Sequence, residues 1–260
     1  METIILAIPL GIAIGLVVGA VGGGGAILAL PVLVYVLGEG VGQATTGSLV
    51  VVAVAAGVGA GALAARGHVC WRVALTFVAP AGLASLAGTV LGAAVGAKAL
   101  ILAFVPVMLV AAAATWYRAA QPGGDDAGAC PEPRAGGVVV TGAGVGVLTG
   151  FFGVGGGFLI VPALTLWLGF GFRRAVATSL VIITITGAAA LASHLAIGSA
   201  IDVGLTLALA LSTGVGALLG TIYAQRIPQA GIGRAFAVVV ALLALFLLVD
   251  ALLLGGPPGS

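Results

Sequence analysis

Charged residues are scarce in this chain of 260 residues: lysine, arginine, aspartate and glutamate together make up 6% of it, and 62% is hydrophobic. An ordinary globular domain has about 25% charged residues. A soluble fold needs a largely polar outside, which this composition cannot supply. The scarcity of charge therefore excludes a soluble domain and predicts that the lipid bilayer surrounds the protein. A net charge of only +2 also gives no basic patch for nucleic acid.

Motifs for catalysis and metal binding are absent as well. The sequence has no H-E-x-x-H, no Ser/His/Asp spacing and no paired acids within its apolar segments. Cys70 and Cys130 lie far apart without metal-ligand spacing, so we expect two free thiols with no chemical role. These absences argue against an enzyme and predict neither a cofactor nor a metal.

Ionisable residues are missing from the depths of the apolar segments. Asp250 lies near the end of the last segment, and His194 lies toward the end of its own, where an interfacial histidine is favoured over a proton carrier. Cation transporters and proton pumps usually keep such a residue inside the membrane. Coupling through a buried carboxylate is therefore not expected.

What the sequence does have is two groups of five apolar stretches. They run at about 3–21, 25–38, 44–65, 71–95 and 98–117, and at about 137–152, 156–169, 175–197, 203–224 and 232–254. Residue Glu2 stands where a secretory signal would carry a base, so the first stretch is interpreted as a retained segment. Lipid leaves only helices or closed barrels able to satisfy the backbone, and these runs are continuous rather than alternating. An all-α integral membrane protein is predicted.

The two groups are related by a shift of 131 residues. It aligns 15–50 with 146–181 without a gap and gives 15 identities in 36 positions, including glycines, a proline and a Ser-Leu-Val triplet. The halves are therefore interpreted as repeats, 1–117 and 137–254. The segment between them, 118–136, is rich in proline and glycine and is predicted to be a cytoplasmic linker, and 255–260 a disordered tail.

Bases in short loops indicate how the repeats are oriented. Loop 39–43 has none and its counterpart 170–174 has two, whereas loop 66–72 has two and its counterpart near 197–203 has none. This alternation predicts inverted repeats. Every base except Lys98 fits if the arginines face the cytoplasm: Arg66, Arg72, Arg118, Arg134, Arg173, Arg174, Arg226 and Arg234. Both termini are then non-cytoplasmic, and the expected location is the cell (inner) membrane.

The second stretch of each half is too short to span a bilayer. Residues 25–38 and 156–169 would make about 21 Å of helix, whereas a spanning helix needs about 20 residues. The charge pattern also requires the first two stretches of each half to make an even number of crossings together. Each glycine cluster is therefore predicted to join two arms of a hairpin or broken helix within the membrane.

Glycine clusters at that depth suit an anion site. Irregular backbone is tolerated in the membrane where it is buried in protein or lines a cavity, and inverted repeats with broken helices are typical of secondary transporters. Helices beginning at the clusters would direct free N–H groups at a bound anion. The predicted substrate-binding glycines are Gly22, Gly24, Gly25, Gly153, Gly155, Gly156 and Gly157. Close packing of small residues is the alternative, and it is favoured for 57–61 and 142–146.

Hydroxyl groups beside the clusters are candidates to complete the site: Thr45, Thr46, Ser48, Thr178 and Ser179. Helix capping, or a hydrogen bond back to the preceding turn, is the alternative role. Gln43 and Arg174 correspond in the repeat and are predicted to line the cytoplasmic mouth. Arg174 there either attracts anions or serves only to set the topology.

The two motifs GGGGAILALPVLVYVLG (22–38) and GVGGGFLIVPALTLWLG (153–169), followed by TTGSLV and ATSLV, resemble the sulfite exporter (TauE/SafE) family of membrane permeases. The resemblance covers nearly the whole chain. It implies transport of sulfur oxyanions and organosulfonates such as sulfite, thiosulfate or sulfoacetate, and in some members of other small organic anions.

The favoured function is a secondary transporter, most simply an exporter, of a small sulfur-containing anion by alternating access. A channel-like pore for that or another small anion, a membrane enzyme and a purely structural membrane protein are the rival hypotheses. The expected partners are the small anion and the bilayer, and a homodimer is compatible with the sequence.

Overall fold

A computed structural model describes residues 2–23, 28–29, 32–95, 97–120, 130–152, 157–196 and 202–249. Every regular element in these ranges is helical. The elements are α1 (Glu2–Val21), α2 (Val32–Val36, a π-helical turn), α3 (Val41–Ala64), α4 (Trp71–Ala93), α5 (Ala97–Ala120), α6 (Ala135–Phe152), α7 (Gly157–Leu166), α8 (Phe172–Ala196), α9 (Val203–Ala224) and α10 (Gln229–Val249).

Six helices in the described part are long and apolar enough to cross a membrane. They are Gln43–Ala64, Trp71–Gly92, Ala135–Phe152, Phe172–Ala192, Val203–Ala224 and Ala230–Val249. Large apolar side chains point outward from several of them, as Leu83 and Val90 of α4 do, because lipid rather than water is the solvent. The predicted all-α integral membrane fold is confirmed.

Glycines at every fourth position hold two parallel helix pairs together. Gly11, Gly15 and Gly19 of α1 lie so close to α9 that an added Cβ would meet its residues 209–217, and Gly142, Gly146 and Gly150 of α6 meet residues 77–85 of α4 in the same way. Because small residues let backbones approach, such ridges drive helix association in lipid. The packing role predicted for 142–146 is confirmed, and the pairing joins the first helix of each half to the fourth helix of the other.

Helices α3 and α8 pack antiparallel near their middles. An added Cβ on Gly57 would lie 3.5 Å from Thr184 Cγ2, and one on Gly187 would lie 3.4 Å from Ala53 Cβ. The residue numbers therefore run in opposite directions along the contact. Since Gln43 lies in the first turn of α3 and Arg174 in the first turn of α8, they lie at opposite ends of this helix pair. The prediction that both line one mouth is wrong, because corresponding helices run in opposite directions.

The first two segments of each half form hairpins. Ala7 near the start of α1 and Leu37 after α2 belong to one buried cluster with Leu205. At the opposite end, Gly137 at the start of α6 faces Leu168 after α7, with 3.8 Å from an added Cβ to Leu168 Cδ2. Each hairpin thus returns to the end where it began, as predicted. With only ten residues, α7 is about 15 Å long and cannot span upright.

Corresponding turns close the two short helices. The N–H of Glu39 donates to Leu33 O (3.0 Å), and that of Phe170 donates to Leu164 O (3.1 Å). Gly38 and Gly169 have φ of 72° and 70°, and a glycine in this left-handed conformation is a common way to end a helix. Residues 33 and 164, like 38 and 169, are related by the shift of 131, so the two turns match in their hydrogen bonds.

The two ends of the bundle differ in charge. The arginine end comprises residues 65–70, 130–134, 167–171 and 225–228, where Arg173 donates to Gln225 O (3.3 Å). The acidic end comprises residues 37–40 and Asp202, and Glu39 interacts there with Asp202. The predicted free thiols are wrong: Cys70 and Cys130 form a disulfide with their Cα atoms 5.8 Å apart. Sequence spacing gave no sign of it because the linker folds back to the start of α4.

Candidate functional site

The two hairpins meet backbone to backbone. A Cβ added to Gly157 would lie 2.8 Å from Gly23 O and 3.0 Å from its Cα, and one added to Gly23 would collide with the Gly157 carbonyl. Both glycines also adjoin the Cδ1 atom of Ile183. Ile183 is near the middle of α8, which runs from residue 172 to residue 196. The meeting point, here called the glycine crossing, therefore lies halfway along a spanning helix.

Ser179 borders the glycine crossing on the side of Gly22. Gly22 has φ of 82°, a conformation that glycine adopts without strain. An added Cβ there would lie 2.7 Å from Ser179 Oγ. Ser179 is fully buried, so among the predicted hydroxyl groups it is the one whose contact with a predicted glycine is described.

The serine hydroxyls also make the hydrogen bonds named above as their alternative role. Ser179 donates to Val176 O (2.8 Å), and Ser48 donates to Thr45 O (2.7 Å). These two bonds are related by the shift of 131. Each hydroxyl still has lone pairs free to accept, but donation to an anion requires the hydroxyl to rotate away from its carbonyl.

A small cavity lies between the glycine crossing and the arginine end. Its volume is about 30 Å³, and the residues that matter for chemistry are Arg173, Gln225 and His68 toward the end and Gly19 and Val176 toward the crossing. At about 10–15 Å³ per water, it has room for about two waters. An oxyanion needs the cavity to widen.

The charge and polar groups of the cavity suit an anion. Arg173 contributes a guanidinium group, and the side-chain amide nitrogen of Gln225 is buried without a hydrogen-bond partner in the described structure. Buried donors without partners are rare in folded proteins and call for an explanation. A negatively charged guest would satisfy this donor and balance the guanidinium charge.

Thr178 and Arg174 lie beside the disulfide. The N–H of Cys70 donates to Thr178 Oγ1 (3.3 Å), and Arg174 Nη1 lies 3.3 Å from Cys130 Sγ. The hydroxyl of Thr178 therefore links α8 to the start of α4, although Thr178 is the neighbour of Ser179 in the chain.

The remaining predicted residues are less informative. Thr46 is buried, Thr45 is partly buried and Gln43 is exposed. Five predicted glycines lie outside the described residues: Gly24, Gly25, Gly153, Gly155 and Gly156. His194 belongs to α8, but its side chain also lies outside the described part of the structure.

At the acidic end, Glu39, Asp202 and Thr206 approach one another. Burial, and then the nearby carboxylate of Asp202, raise the pKa of Glu39 above its ordinary value of 4.5. Thr206 is 4% exposed, and its hydroxyl oxygen has no partner in the described structure. The carboxylates make this end unfavourable for an anion, in contrast to the arginine end.

Sequence reasoning missed Gly23, Gln225 and the lining role of Arg173. The counterpart of Gly23 in the repeat is Val154, so the matched glycine pattern does not single out Gly23, and the charge pattern assigns Arg173 only a role in topology. The one sequence signal for Arg173 is its position next to Arg174, which is predicted to line the mouth. Gln225 follows α9 without any motif.

Comparison with known proteins agrees with this architecture. The model of the family described as "Sulfite exporter TauE/SafE" matches residues 7–247. A probable membrane transporter protein of Xylella fastidiosa strain Temecula1 is 31% identical over 258 residues, 95% of this chain and 96% of the relative. Another from strain 9a5c is 34% identical over 171 residues, 63% of each chain. No solved structure matches. The protein is thus a multi-pass membrane transporter and not an enzyme, and it belongs to the TauE/SafE sulfite exporter family.

Proposed function

We propose that this transporter exports small sulfur-containing anions, such as sulfite, thiosulfate or an organosulfonate, by alternating access. The observation that carries the proposal is the contact of Gly23 with Gly157 beside the middle of α8. Gly23 and Gly157 meet there with no side chain of their own, beside Ile183, so backbone groups would be close partners of a bound anion. The anion is held at the glycine crossing beside Ser179, and Ser48, the counterpart of Ser179 in the repeat, is proposed to complete the site.

The distribution of charge supports the direction. By the positive-inside rule the arginine end faces the cytoplasm, so the cavity with Arg173 and Gln225 opens toward the interior of the cell. The ends of α1 and α10 that lie nearest the termini are then outside. With the interior negative, expelling one negative charge gains about 2.3 kcal/mol per 100 mV, which favours outward flow about fifty-fold.

Helix packing supports alternating access between two inverted repeats, 1–117 and 137–254. The corresponding helices α3 and α8 run antiparallel, as repeats of opposite orientation require. The pairs α1 with α9 and α6 with α4 are exchanged by the same relation. Because the glycine ridges lock α1 to α9 and α6 to α4, each pair would move as one unit, and rocking of these units would close the narrow cavity at the arginine end and open its counterpart at the acidic end.

Thermal unfolding of the purified protein with a panel of anions tests the substrate class. The panel contains sulfite, thiosulfate, sulfoacetate, sulfate, phosphate and acetate. A ligand at 100 times its dissociation constant adds about 2.7 kcal/mol to the free energy of unfolding, so the midpoint should rise for the sulfur anions. Equal midpoints for sulfite, phosphate and acetate would contradict the proposed substrate class.

The serines test where the anion sits. Ser179→Ala removes a hydroxyl at the crossing and should weaken sulfite binding about ten-fold, the worth of one hydrogen bond to a charged group. Ser85→Ala is the matched control, because the Ser85 hydroxyl likewise donates to the carbonyl three residues earlier, Gly82 O (2.7 Å), in an exposed hydrogen bond. Equal sulfite affinity in the two variants would remove Ser179 from the site.

A channel-like pore is the second candidate, because the cavity already lies between the crossing and one end. A pore conducts in proportion to substrate concentration, whereas a transporter saturates and exchanges. Flux into proteoliposomes that rises linearly with sulfite, without exchange of labelled for unlabelled anion, would replace the first proposal by the second.

A further inference from the structure

The two cysteines of the disulfide at the arginine end differ in their exposure to solvent. Cys70 is 2% exposed, whereas Cys130 is partly exposed and lies in the linker. A nucleophile from solution can therefore reach the sulfur of Cys130 more easily than that of Cys70. Positive-inside placement puts this end in the cytoplasm, where disulfides are rare and those present are usually reactive or regulatory.

A positively charged side chain and the positive end of a helix dipole lie close to the sulfur atoms. Arg174 Nη1 lies 3.3 Å from Cys130 Sγ and 3.9 Å from Cys70 Sγ. Cys70 is also the N-cap of α4, and its side chain caps no backbone N–H. The guanidinium and the positive end of the α4 dipole both stabilise a negative charge on this sulfur. Cys70 is thus a good leaving group, and Arg174 can pair with an arriving anion.

We propose that the Cys70–Cys130 disulfide is a modification site for sulfite. The choice of sulfite as the reagent rests on the export function proposed above. The sulfur lone pair of SO₃²⁻ attacks Cys130 Sγ and forms the S–S bond of an S-sulfonate. The Cys70–Cys130 bond breaks, and its electron pair leaves with Cys70 as a thiolate. No further oxidant or reductant is needed, and attack of the Cys70 thiolate on the S-sulfonate expels sulfite and restores the disulfide.

Opening this bond has a direct route to the transport site. The disulfide ties the end of the linker to the start of α4, and the N–H of Cys70 binds Thr178 (3.3 Å). The next residue, Ser179, borders the glycine crossing. Sulfite in the cytoplasm would therefore release Cys130 from the start of α4 at the arginine end.

Mass spectrometry of the purified full-length protein under non-reducing conditions tests the proposal. After incubation with sulfite, an acid quench and alkylation, we expect one added SO₃ group on Cys130 and an alkylated Cys70. Sulfate is the control anion, because its sulfur has no lone pair and should leave both residues disulfide-bonded. Protein unfolded in denaturant before sulfite addition shows that the chemistry and the detection work.

Variants separate the role of Arg174 from a general effect of charge. Arg174→Gln should slow adduct formation about ten-fold, as expected for the loss of one charge-assisted contact, and Arg174→Lys should recover most of the rate. Arg226→Gln removes one exposed positive charge from the same end and should react like the unchanged protein. Native protein that stays unmodified while the unfolded sample reacts, an adduct on Cys70, or equal rates for Arg174→Gln and Arg226→Gln would each overturn the proposal.

Transport is measured separately in the Cys70→Ser/Cys130→Ser double variant, which has no disulfide to open. If that variant and the unchanged protein both fail to transport sulfite while the adduct forms on Cys130, the proposed function fails and the modification site stands. If sulfite is transported but native protein forms no adduct, only the modification site is lost.

Discussion

The two ends of this transporter differ in the charges that lie beside the starts of two corresponding helices, α9 and α4. At the acidic end α9 starts after Asp202, whose carboxylate accepts the N–H of Leu205 (3.0 Å). At the arginine end α4 starts after Cys70, which makes no such cap and is bonded to Cys130 beside Arg174. The glycine ridges and the turns match between residues 1–117 and 137–254. The charge at these two helix starts differs.

This difference assigns separate roles to scaffold and charge. In the proposed function, the scaffold offers an anion the same glycine crossing from either end, because Gly23 and Gly157 of the two hairpins both contribute to it. Arginines raise the local anion concentration at one end, and acids lower it at the other. Under the proposed function, charge sets the side on which a dilute anion is captured, while the concentration gradient and membrane potential set the direction of net flow.

A side chain placed in the glycine crossing should have the largest effect, because the crossing is the proposed binding site reached from both ends. Gly157→Ala places a methyl group 2.8 Å from Gly23 O, and overpacking of this kind typically costs about 1–3 kcal/mol. We expect sulfite flux in proteoliposomes to fall at least about 100-fold, because the added methyl group would clash with the Gly23 carbonyl and force the hairpins apart.

The matched control is Gly144→Ala in α6, where an added Cβ meets nothing within 4 Å. It should insert and transport like the unchanged protein. Comparable flux in the two variants would show that the crossing is not on the pathway.

Neutralising the capture side should come next in size. Arg173→Gln removes the guanidinium from the cavity wall, and we expect the KM for sulfite at the arginine end to rise about ten-fold with little change in kcat. Arg226→Gln should leave KM nearly unchanged. The measurement is initial flux in vesicles sorted by protein orientation, and a KM that rises equally at both ends would contradict the assignment of capture to one side.

Removing the cap at the acidic end should have a smaller effect, on stability rather than transport. Asp202→Ala deletes the acceptor for Leu205 N–H and should lower the free energy of unfolding by about 1 kcal/mol, whereas Asp202→Asn retains a good N-cap. Denaturant or thermal unfolding in detergent measures both. Equal stability of the two variants would mean that the carboxylate contributes through charge and not through the cap.

The smallest expected effect is a pH dependence at Glu39. Burial, and then Asp202, raise its pKa in the folded protein, so the stability linked to it is complete below 4.5 and is lost as the pH rises through the folded value. Glu39→Gln should remove this decline in unfolding midpoint toward neutral pH. Asp202→Asn should reduce it only in part, since burial is the larger cause, and a full loss of the decline in Asp202→Asn would reverse that order.

The sequence predicted the helices closely because lipid permits so few structures. Observed α9 spans Val203–Ala224 at the boundaries that hydrophobicity indicated, and the short segment before α8 is a hairpin arm as expected. Charge bias placed Arg173 and Arg226 at one end correctly, and Arg173 does contact the Gln225 carbonyl. These features depend on local composition and on counting, which one sequence provides.

Contacts between distant segments were beyond the sequence. The Cys70–Cys130 bond depends on how the linker folds back, and the approach of Gly23 to Gly157 depends on how two hairpins dock. Gly23 lacks a glycine counterpart in the other half, so even the repeat gave no sign of it. The separation of Gln43 from Arg174 is a consequence of the predicted inversion, because corresponding helices of inverted repeats begin at opposite ends.

Counterflow in proteoliposomes tests the central claim most directly. Vesicles loaded with unlabelled sulfite are diluted into labelled sulfite, and the transient uptake of label is compared among the unchanged protein, Gly157→Ala and Gly144→Ala. We predict a clear overshoot for the unchanged protein and Gly144→Ala, and none for Gly157→Ala. An overshoot of the same height in Gly157→Ala would contradict binding at the glycine crossing.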